Sequence, residues 1–242
     1  MSTSHLIRAE MAEIGRRLYE RNHICGTEGN LSARLSNAKI LITPSGVNKG
    51  YLKPDDMIIC SVDGKKLEGA GKPSSEIRLH TAIYKWRKDV TAICHAHPIY
   101  ATAYSTAGIS LNRPVLPEIV GTLGAIPLAG YASPGSTDLP ETIADLIDRY
   151  DAFLLESHGV LTVGKSLEDA FNKTESVERF ARILFLADRM GGAKILSTRE
   201  TERLLKEAGR MNIMSELEFP PGNEGCNVSN PKKKASDQAG YR

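Results

Sequence analysis

The chain has 242 residues, 41% of them hydrophobic and 25% charged, which is ordinary for a domain with a substantial core. Its net charge of +2 lies within residues 220–242, where four basic residues outnumber two acidic ones, so residues 1–219 are neutral and nucleic acid is not an expected partner. No apolar run is long enough to span a membrane and no secretion signal is apparent, which predicts a cytoplasmic protein without a membrane partner.

Apolar spacing and turn residues predict the elements of the chain in order. The first half is predicted to contain a helix over 6–22, a turn over 26–30, a hairpin of strands 31–35 and 40–43, a strand over 57–62, and a helix from Pro73-Ser74-Ser75-Glu76 to about Lys88. The second half is predicted to contain strands over 90–97, 126–129, 152–156 and 159–163, and helices over 101–107, 138–149, 166–190 and 198–209.

These elements predict an α/β fold of three layers. Strands gather in the middle of the chain and helices flank them, so both faces of one sheet need helical cover. Short turns between several strands favour antiparallel pairing, and the sheet is expected to be mixed. The domain is predicted to cover residues 1–215, followed by a disordered tail over 216–242 that is rich in Pro, Gly, Asn, Ser and Lys.

Three histidines form a candidate metal site. His95 and His97 lie at the end of a predicted strand, where alternation points both side chains the same way. His158 follows a second predicted strand, and three imidazoles with an open fourth position are typical of a catalytic zinc site. One His-x-His pair alone is a weak indication. Alternation places Cys94 on the opposite face of the strand, as a core residue.

Glu76 is a further candidate, at the start of a helix. Its carboxylate is a possible fourth metal ligand and a proton-transfer base. His80, one helical turn later, shares that face; it is interpreted as a buried structural histidine or as a partner of the ligands.

Three short segments suggest an anion site near these residues. They are Gly26-Thr27-Glu28-Gly29-Asn30, Thr43-Pro44-Ser45-Gly46 and Ser74-Ser75-Glu76. Glycines, small hydroxyls and free backbone N–H groups at a strand end or a helix N-terminus favour phosphate. Each segment alone is as well explained by an ordinary turn or cap, and only the combination with the histidines predicts a phosphate-plus-metal pocket.

Together these segments resemble the class II aldolase/adducin family in their order and spacing, over about residues 6–210. The matching stretches are GTEGNLS at 26–32, ITPSG at 42–46, KPSSE at 72–76, HAH at 95–97 and SHG at 157–159. The resemblance implies a mostly antiparallel nine-stranded sheet between helical layers, and a homotetramer with active sites at subunit interfaces.

The resemblance also implies roles for individual residues. Zn²⁺, or another divalent metal, would be held by His95, His97, His158 and Glu76, with Glu76 also acting as acid and base. The phosphate of a sugar substrate would be held by Gly29, Asn30, Ser45, Gly46, Ser74 and Ser75. The implied reaction is reversible cleavage of a ketose 1-phosphate, such as L-fuculose 1-phosphate, to dihydroxyacetone phosphate and an aldehyde.

Two departures from the family pattern bear on the reaction. The tyrosines that serve the aldehyde end of the substrate in family aldolases are missing, since the comparable positions read Leu116-Pro117-Glu118-Ile119-Val120 and Ala208. Glu118 is an alternative proton donor, and Glu28 stands where a small residue is common. Decarboxylase, dehydratase and 4-epimerase activities therefore stay open, although similar epimerases carry Asp at the position of Glu76. A non-catalytic, adducin-like interaction module is disfavoured because all four metal candidates are present.

Overall fold

The computed structural model describes residues 3–219, which form six α-helices and eight β-strands. The helices are α1 (Thr3–Glu20), α2 (Ile77–Trp86), α3 (Ile99–Thr106), α4 (Pro117–Thr122), α5 (Leu167–Arg189) and α6 (Thr198–Glu207). The strands are β1 (Asn30–Arg34), β2 (Lys39–Ile42), β3 (Ile58–Ser61), β4 (Lys66–Glu68), β5 (Ala92–Ala96), β6 (Leu128–Ala129), β7 (Ala152–Leu155) and β8 (Gly159–Gly164). None of the helices in this range is both long and apolar enough to cross a bilayer.

One open sheet joins all eight strands in the order β4-β3-β2-β1-β5-β8-β7-β6. Every neighbouring pair is antiparallel except β6 and β7, which are parallel, so the sheet is mixed as predicted. The nine strands that the resemblance implied are wrong by one, because the sheet has eight. At its centre, β5 lies between β1 and β8, and these three strands carry the candidate site.

The three-layer architecture is confirmed by how the apolar residues divide between the two faces of the sheet. Along β5, Ile93 packs in the cluster beneath α2 and α6, whereas Cys94 packs in the cluster beneath α1 and the start of α5. Cys94 is fully buried in that second cluster, which confirms its interpretation as a core residue. A third cluster joins α3, α4 and α5 to β7 and β8.

The element predictions are largely confirmed, with one clear error. Residues 138–149, predicted as an α-helix, form a 3-10 helix over Pro140–Ile143 followed by turns. Several of their hydrogen bonds span three residues, as from Ala144 N to Glu141 O and from Arg149 N to Leu146 O, so no regular α-helix forms. Strand β4 and helix α4 were not predicted, because both are short and lack a clear apolar period.

The tail prediction falls almost wholly on residues outside the described range. Residues 216–219 are described, and Leu217 packs in the core cluster beneath α2 and α6. The boundary at 215 and the disorder of residues 220–242 stay predictions.

Candidate metal centre and anion site

The structure brings His95, His97 and His158 together, as the sequence predicts. Their Nε2 atoms converge, with 3.0 Å between His97 and His95 and 3.2 Å between His95 and His158. One nitrogen from each ring lies within 4.8 Å of the others, which is the spacing of ligands around a single ion. The three histidines can therefore hold a metal ion.

The central strands fix where these imidazoles lie. His95 is in β5, paired with Leu161 of β8 on one side and Asn30 of β1 on the other. Its Nδ1–H donates to Val160 O at 2.8 Å, so the lone pair of Nε2 faces the cluster. His158 stands in the tight turn between β7 and β8, directly after Ser157, whose positive φ of 54° is rare for a residue with a side chain.

Gly159 provides the space for His97. A Cβ at this position would lie 2.6 Å from Ala96 O and 2.6 Å from Cδ2 of the His97 ring, closer than such atoms ever approach. The glycine of the SHG segment therefore lets the β7–β8 turn come against the end of β5. Without that close approach, His158 and His97 would not reach a common point.

Glu76 completes the cluster from the other side. It is the N-cap residue of α2, so the helix begins at Ile77, later than the predicted start at Pro73-Ser74-Ser75-Glu76. Ser74 Oγ accepts from the backbone N–H of Glu76. Its carboxylate makes no cap bond and instead points to the histidines, with Oε2 3.4 Å from His95 Nε2 and Oε1 3.5 Å from His158 Nε2. Glu76 is buried, and Oε2 has no hydrogen-bond partner among the described residues.

This donor set fits a divalent metal ion. Three imidazole nitrogens and one carboxylate converge, and a buried carboxylate oxygen without a partner is costly unless a cation meets it. Burial lowers the pKa of His95 to about 4 and that of His97 to about 3, so both rings are neutral at pH 7, as metal ligation requires. Burial opposes ionisation of Glu76, yet the adjacent imidazoles of His95 and His158 hold its pKa below its ordinary value.

The three predicted anion segments meet beside this cluster. Thr43 N donates to Leu31 O, and Thr43 O accepts from Ser74 N at 3.1 Å, so the ends of β1 and β2 adjoin the start of α2. Ser45 N donates to Lys72 O at 2.9 Å. Of the predicted phosphate residues, Gly29, Asn30 and Ser74 are buried, whereas Ser45, Gly46 and Ser75 are exposed at the surface of the same region.

Gly29 is required for the first of these segments. Its φ is +67°, and a Cβ there would lie 2.8 Å from His95 O and 2.7 Å from Ile24 Cγ2. Only glycine allows the chain to turn this close to β5 and then enter β1 at Asn30.

A buried hydrogen-bond chain orients the side chain of Asn30. Asn30 Oδ1 lies 2.5 Å from His80 Nε2, and His80 Nδ1 lies 2.6 Å from Ser32 Oγ, which in turn lies 2.9 Å from Tyr84 Oη. With His80 donating from Nε2 to Asn30 Oδ1, the amide NH₂ of Asn30 donates to no other residue within 3–219 and is available to a ligand. His80 is thus a buried histidine with both ring nitrogens hydrogen-bonded, which agrees with its structural interpretation, and its partner Asn30 is an anion-site residue and not a metal ligand.

We expect His80 to make the stability of the metal-free protein depend on pH. Burial lowers the pKa of His80 to about 4 from an ordinary value of 6.5, so the folded chain keeps it neutral where the unfolded chain protonates it. Its contribution is present above pH 6.5 and is lost as the pH falls toward 4. The stability advantage of wild type over His80→Gln should shrink across this window by up to about 3 kcal/mol, at about 1.4 kcal/mol per pKa unit. Urea unfolding with chelator present measures this difference, and an advantage that is constant from pH 7 to 4 would contradict the expectation.

The sequence interpretation missed Lys49, which joins the first anion segment to the residue that directly follows the second. Its side chain is buried, and Nζ donates to Thr27 O at 2.6 Å and to Val47 O at 2.8 Å. Burial lowers the pKa of Lys49 to about 8. A lysine between Asn48 and Gly50 has the appearance of a surface turn residue, and only the structure shows that it is enclosed.

The loop at residues 131–136 was also missed, and it adjoins the anion site. A Cβ at Gly135 would lie 3.1 Å from Ser75 O, and Arg78 donates to Gly135 O. A Pro-Gly pair at 134–135 was a turn indication in the sequence, but nothing there links that turn to Ser75. Glu118, by contrast, lies on the exposed side of α4, and no side-chain hydrogen bond joins it to the histidine cluster within residues 3–219.

Comparison with known proteins agrees with this geometry. Residues 9–185 match the family described as Class II Aldolase and Adducin N-terminal domain. The chain belongs to this family. Its resemblance to L-fuculose phosphate aldolases in particular is also confirmed by the relatives and structures that follow.

Relatives of two activities are similar to this chain over most of its length. A 3-oxo-tetronate 4-phosphate decarboxylase of Pectobacterium atrosepticum is 36% identical over 78% of this chain and 88% of its own. An L-fuculose phosphate aldolase of Methanococcus maripaludis is 34% identical over 75% of this chain and 97% of its own. A solved structure of an L-fuculose 1-phosphate aldolase superposes with a TM-score of 0.78 at 32% identity, covering 86% of this chain and 97% of that one.

Proposed function

We propose that this protein is a metal-dependent carbon–carbon lyase, and first an aldolase, that acts on a phosphorylated sugar. The observation that carries the proposal is the buried carboxylate of Glu76. It lies 3.4–3.5 Å from two of the clustered histidines and at the start of the helix whose first residues adjoin the anion segments. Glu76 therefore adjoins both the candidate metal site and the candidate phosphate site. A phosphorylated sugar would contact both sites at once.

His95, His97 and His158 would hold the metal, with Glu76 as the fourth ligand at rest. Zinc suits a set of three imidazoles and a carboxylate, and manganese, cobalt or iron are alternatives. When bound, the metal would polarise the substrate carbonyl next to the bond that breaks. The family further suggests a homotetramer in the cytoplasm, and we include both in the proposal.

The substrate phosphate would be held by Gly29, Asn30, Ser45, Gly46, Ser74 and Ser75. The free amide donor of Asn30 and the backbone around Gly46, whose φ is +71°, suit an anion. Lys49 would add positive charge nearby, since its ammonium group donates hydrogen bonds to Thr27 O and Val47 O on either side of this region.

The two activities named among the relatives share one product half. Cleavage of a ketose 1-phosphate between its third and fourth carbons leaves dihydroxyacetone phosphate and an aldehyde. Loss of carbon dioxide from a 3-oxo-tetronate 4-phosphate leaves the same dihydroxyacetone phosphate. In both reactions the electron pair of the broken bond passes to the carbon beside the carbonyl, and that carbon then takes up a proton.

Glu76 is the group we assign to this proton. Its buried carboxylate would be free of the metal once substrate had entered. In the ionised form it would accept a proton from the carbon beside the carbonyl, and after taking up a proton from solvent it would return one to that carbon in the cleavage direction. The common half-reaction needs only the metal ligands, the anion site and Glu76. The two reactions differ in their second product, which is an aldehyde or carbon dioxide. That product would form in the region where the family tyrosines are missing.

The decarboxylase is the second candidate, and the 36% identity to such enzymes favours it specifically. The missing tyrosines weaken the aldolase at its aldehyde end, where a sugar hydroxyl must lose its proton as the aldehyde forms, whereas carbon dioxide leaves from a carboxylate that has no proton to lose. Dehydratase and 4-epimerase activities rank lower, the epimerase because Glu rather than Asp stands at position 76.

Incubating the metal-loaded protein with L-fuculose 1-phosphate, other ketose 1-phosphates and a 3-oxo-tetronate 4-phosphate separates these candidates. The proposal predicts chelator-sensitive release of dihydroxyacetone phosphate from one class, with an aldehyde or carbon dioxide as its partner. If the second product is an aldehyde, the aldolase proposal holds. If it is carbon dioxide, the protein is a decarboxylase instead. Bound metal without dihydroxyacetone phosphate from any substrate would overturn both.

A further inference from the structure

The carboxylate of Glu28 faces the metal cluster and not the anion site beside it. Glu28 Oε2 accepts a hydrogen bond from Cys25 N at 3.0 Å and lies 3.6 Å from His97 Nδ1. A negative charge directed toward a phosphate would repel it. The turn at Cys25 sends the side chain the other way, while Gly29, the next residue, directs the backbone into the anion site.

The ring of His97 is confined on three sides. Its Nε2 faces His95 at 3.0 Å inside the cluster, and its Cδ2 edge lies against Gly159. Nδ1 points out of the cluster toward Glu28, whose side chain is 43% exposed and has room to move. A separation of 3.6 Å is slightly longer than a hydrogen bond, and a small rotation of this exposed side chain closes it.

The three clustered histidines differ in how their outer nitrogens are held. Nδ1 of His95 donates to a backbone carbonyl of β8, and Nδ1 of His158 is buried with no partner among the described residues. Only His97 has a carboxylate at this position. A carboxylate behind a ligating histidine fixes its tautomer and raises its basicity, and such partners typically tighten metal binding by about 10- to 100-fold.

We propose that Glu28 is a positioning residue that holds His97 as a metal ligand through Nδ1. The inference rests on the proposed metal site and explains why this chain tolerates an acidic residue within its anion segment. Glu28 acts on the metal through His97 and does not touch the phosphate.

The test compares Glu28→Ala and Glu28→Gln with a control, Glu20→Gln. Glu20 lines the same cavity of about 520 Å³ beside His97, but its carboxylate pairs with Arg16 and not with His97. Glu20→Gln therefore removes one negative charge, as Glu28→Gln does, without removing a contact to the His97 ring. Two readouts are independent of catalysis: Zn²⁺ affinity by competition with a chromogenic chelator, and the tautomer of His97 in the metal-free protein by ¹⁵N NMR.

The proposal predicts that Glu28→Ala weakens Zn²⁺ binding about 10- to 100-fold and changes the His97 tautomer from Nδ1–H to a mixture. Glu28→Gln keeps an acceptor and should recover most of the tautomer and part of the affinity, while Glu20→Gln stays near wild type. Equal affinities for wild type and Glu28→Ala, or equal losses for Glu28→Ala and Glu20→Gln, would overturn it. A wild type that binds no Zn²⁺ would overturn the metal site itself, which is a different result.

Discussion

Replacing Glu76 with Gln is expected to lower kcat by about 10²- to 10⁴-fold, the range for loss of a general acid–base group. The amide has nearly the same shape but cannot exchange a proton with the carbon beside the substrate carbonyl. The three histidines stay in place, so metal binding should persist. Steady-state kinetics at saturating metal, together with metal content of the purified variant, measure both parts.

Glu10→Gln is the matched control for this variant, because Glu10 lies exposed on α1 and takes no part in the site. Its kcat should equal that of wild type. If Glu76→Gln kept more than a tenth of wild-type kcat with metal bound, Glu76 would not be the proton-transfer group.

Replacing Asp151 with Ala is expected to destabilise the fold by about 3 kcal/mol, the lower end for breaking a buried ion pair. Its carboxylate is 3.2 Å from Arg87, 3.3 Å from Lys173 and 2.9 Å from Arg210, and its side chain is only 15% exposed. Arg87 directly follows α2, Lys173 lies in α5 and Arg210 comes soon after α6. Asp151 directly precedes β7, so its carboxylate links this strand to the helical layers on both faces of the sheet. Its loss leaves Arg210 without a carboxylate partner among residues 3–219, and it leaves Arg87 and Lys173 with only the more exposed carboxylates of Asp89 and Asp169.

The control for this variant is Asp89→Asn. It removes a carboxylate that pairs with Arg87 but is 55% exposed, and the substitution should cost about 1 kcal/mol or less.

The pH dependence of stability adds a check. Burial would raise the pKa of Asp151, but Lys173 and Arg210 outweigh burial and hold it below 3.8, so its contribution is present above that pH and lost below it. Equal losses in the two variants by urea unfolding would contradict the role assigned to Asp151.

Strand alternation and helix capping were sufficient to predict most of the candidate site. His95 lies in β5 and His97 directly follows the strand, and their rings meet on the same side, as alternation predicts. Glu76 was predicted from its place at a helix start. Its carboxylate was expected to reach the same metal ion as the histidines, and the structure places it 3.4 Å from His95 Nε2.

Other contacts could not be predicted because they depend on the distance between segments remote in sequence. Lys49 is buried only because α1 and the two anion segments enclose it, and composition gives no indication of this. Glu28 was recognised as unusual, but whether it turned toward phosphate or cation depends on the backbone at Cys25 and Gly29. The helix predicted over 138–149 failed because local apolar spacing does not distinguish α from 3-10 hydrogen bonding.

The most direct test of the account is deuterium exchange into dihydroxyacetone phosphate, the product half common to both proposed reactions. In D₂O with metal-loaded protein, we predict that ¹H NMR shows loss of one of the two hydroxymethyl hydrogens, without any second substrate. Chelator and Glu76→Gln should stop the exchange, and Glu10→Gln should not. A metal-loaded wild type that exchanges no faster than the protein-free control would contradict the proposal that this site moves a proton at the carbon beside the carbonyl.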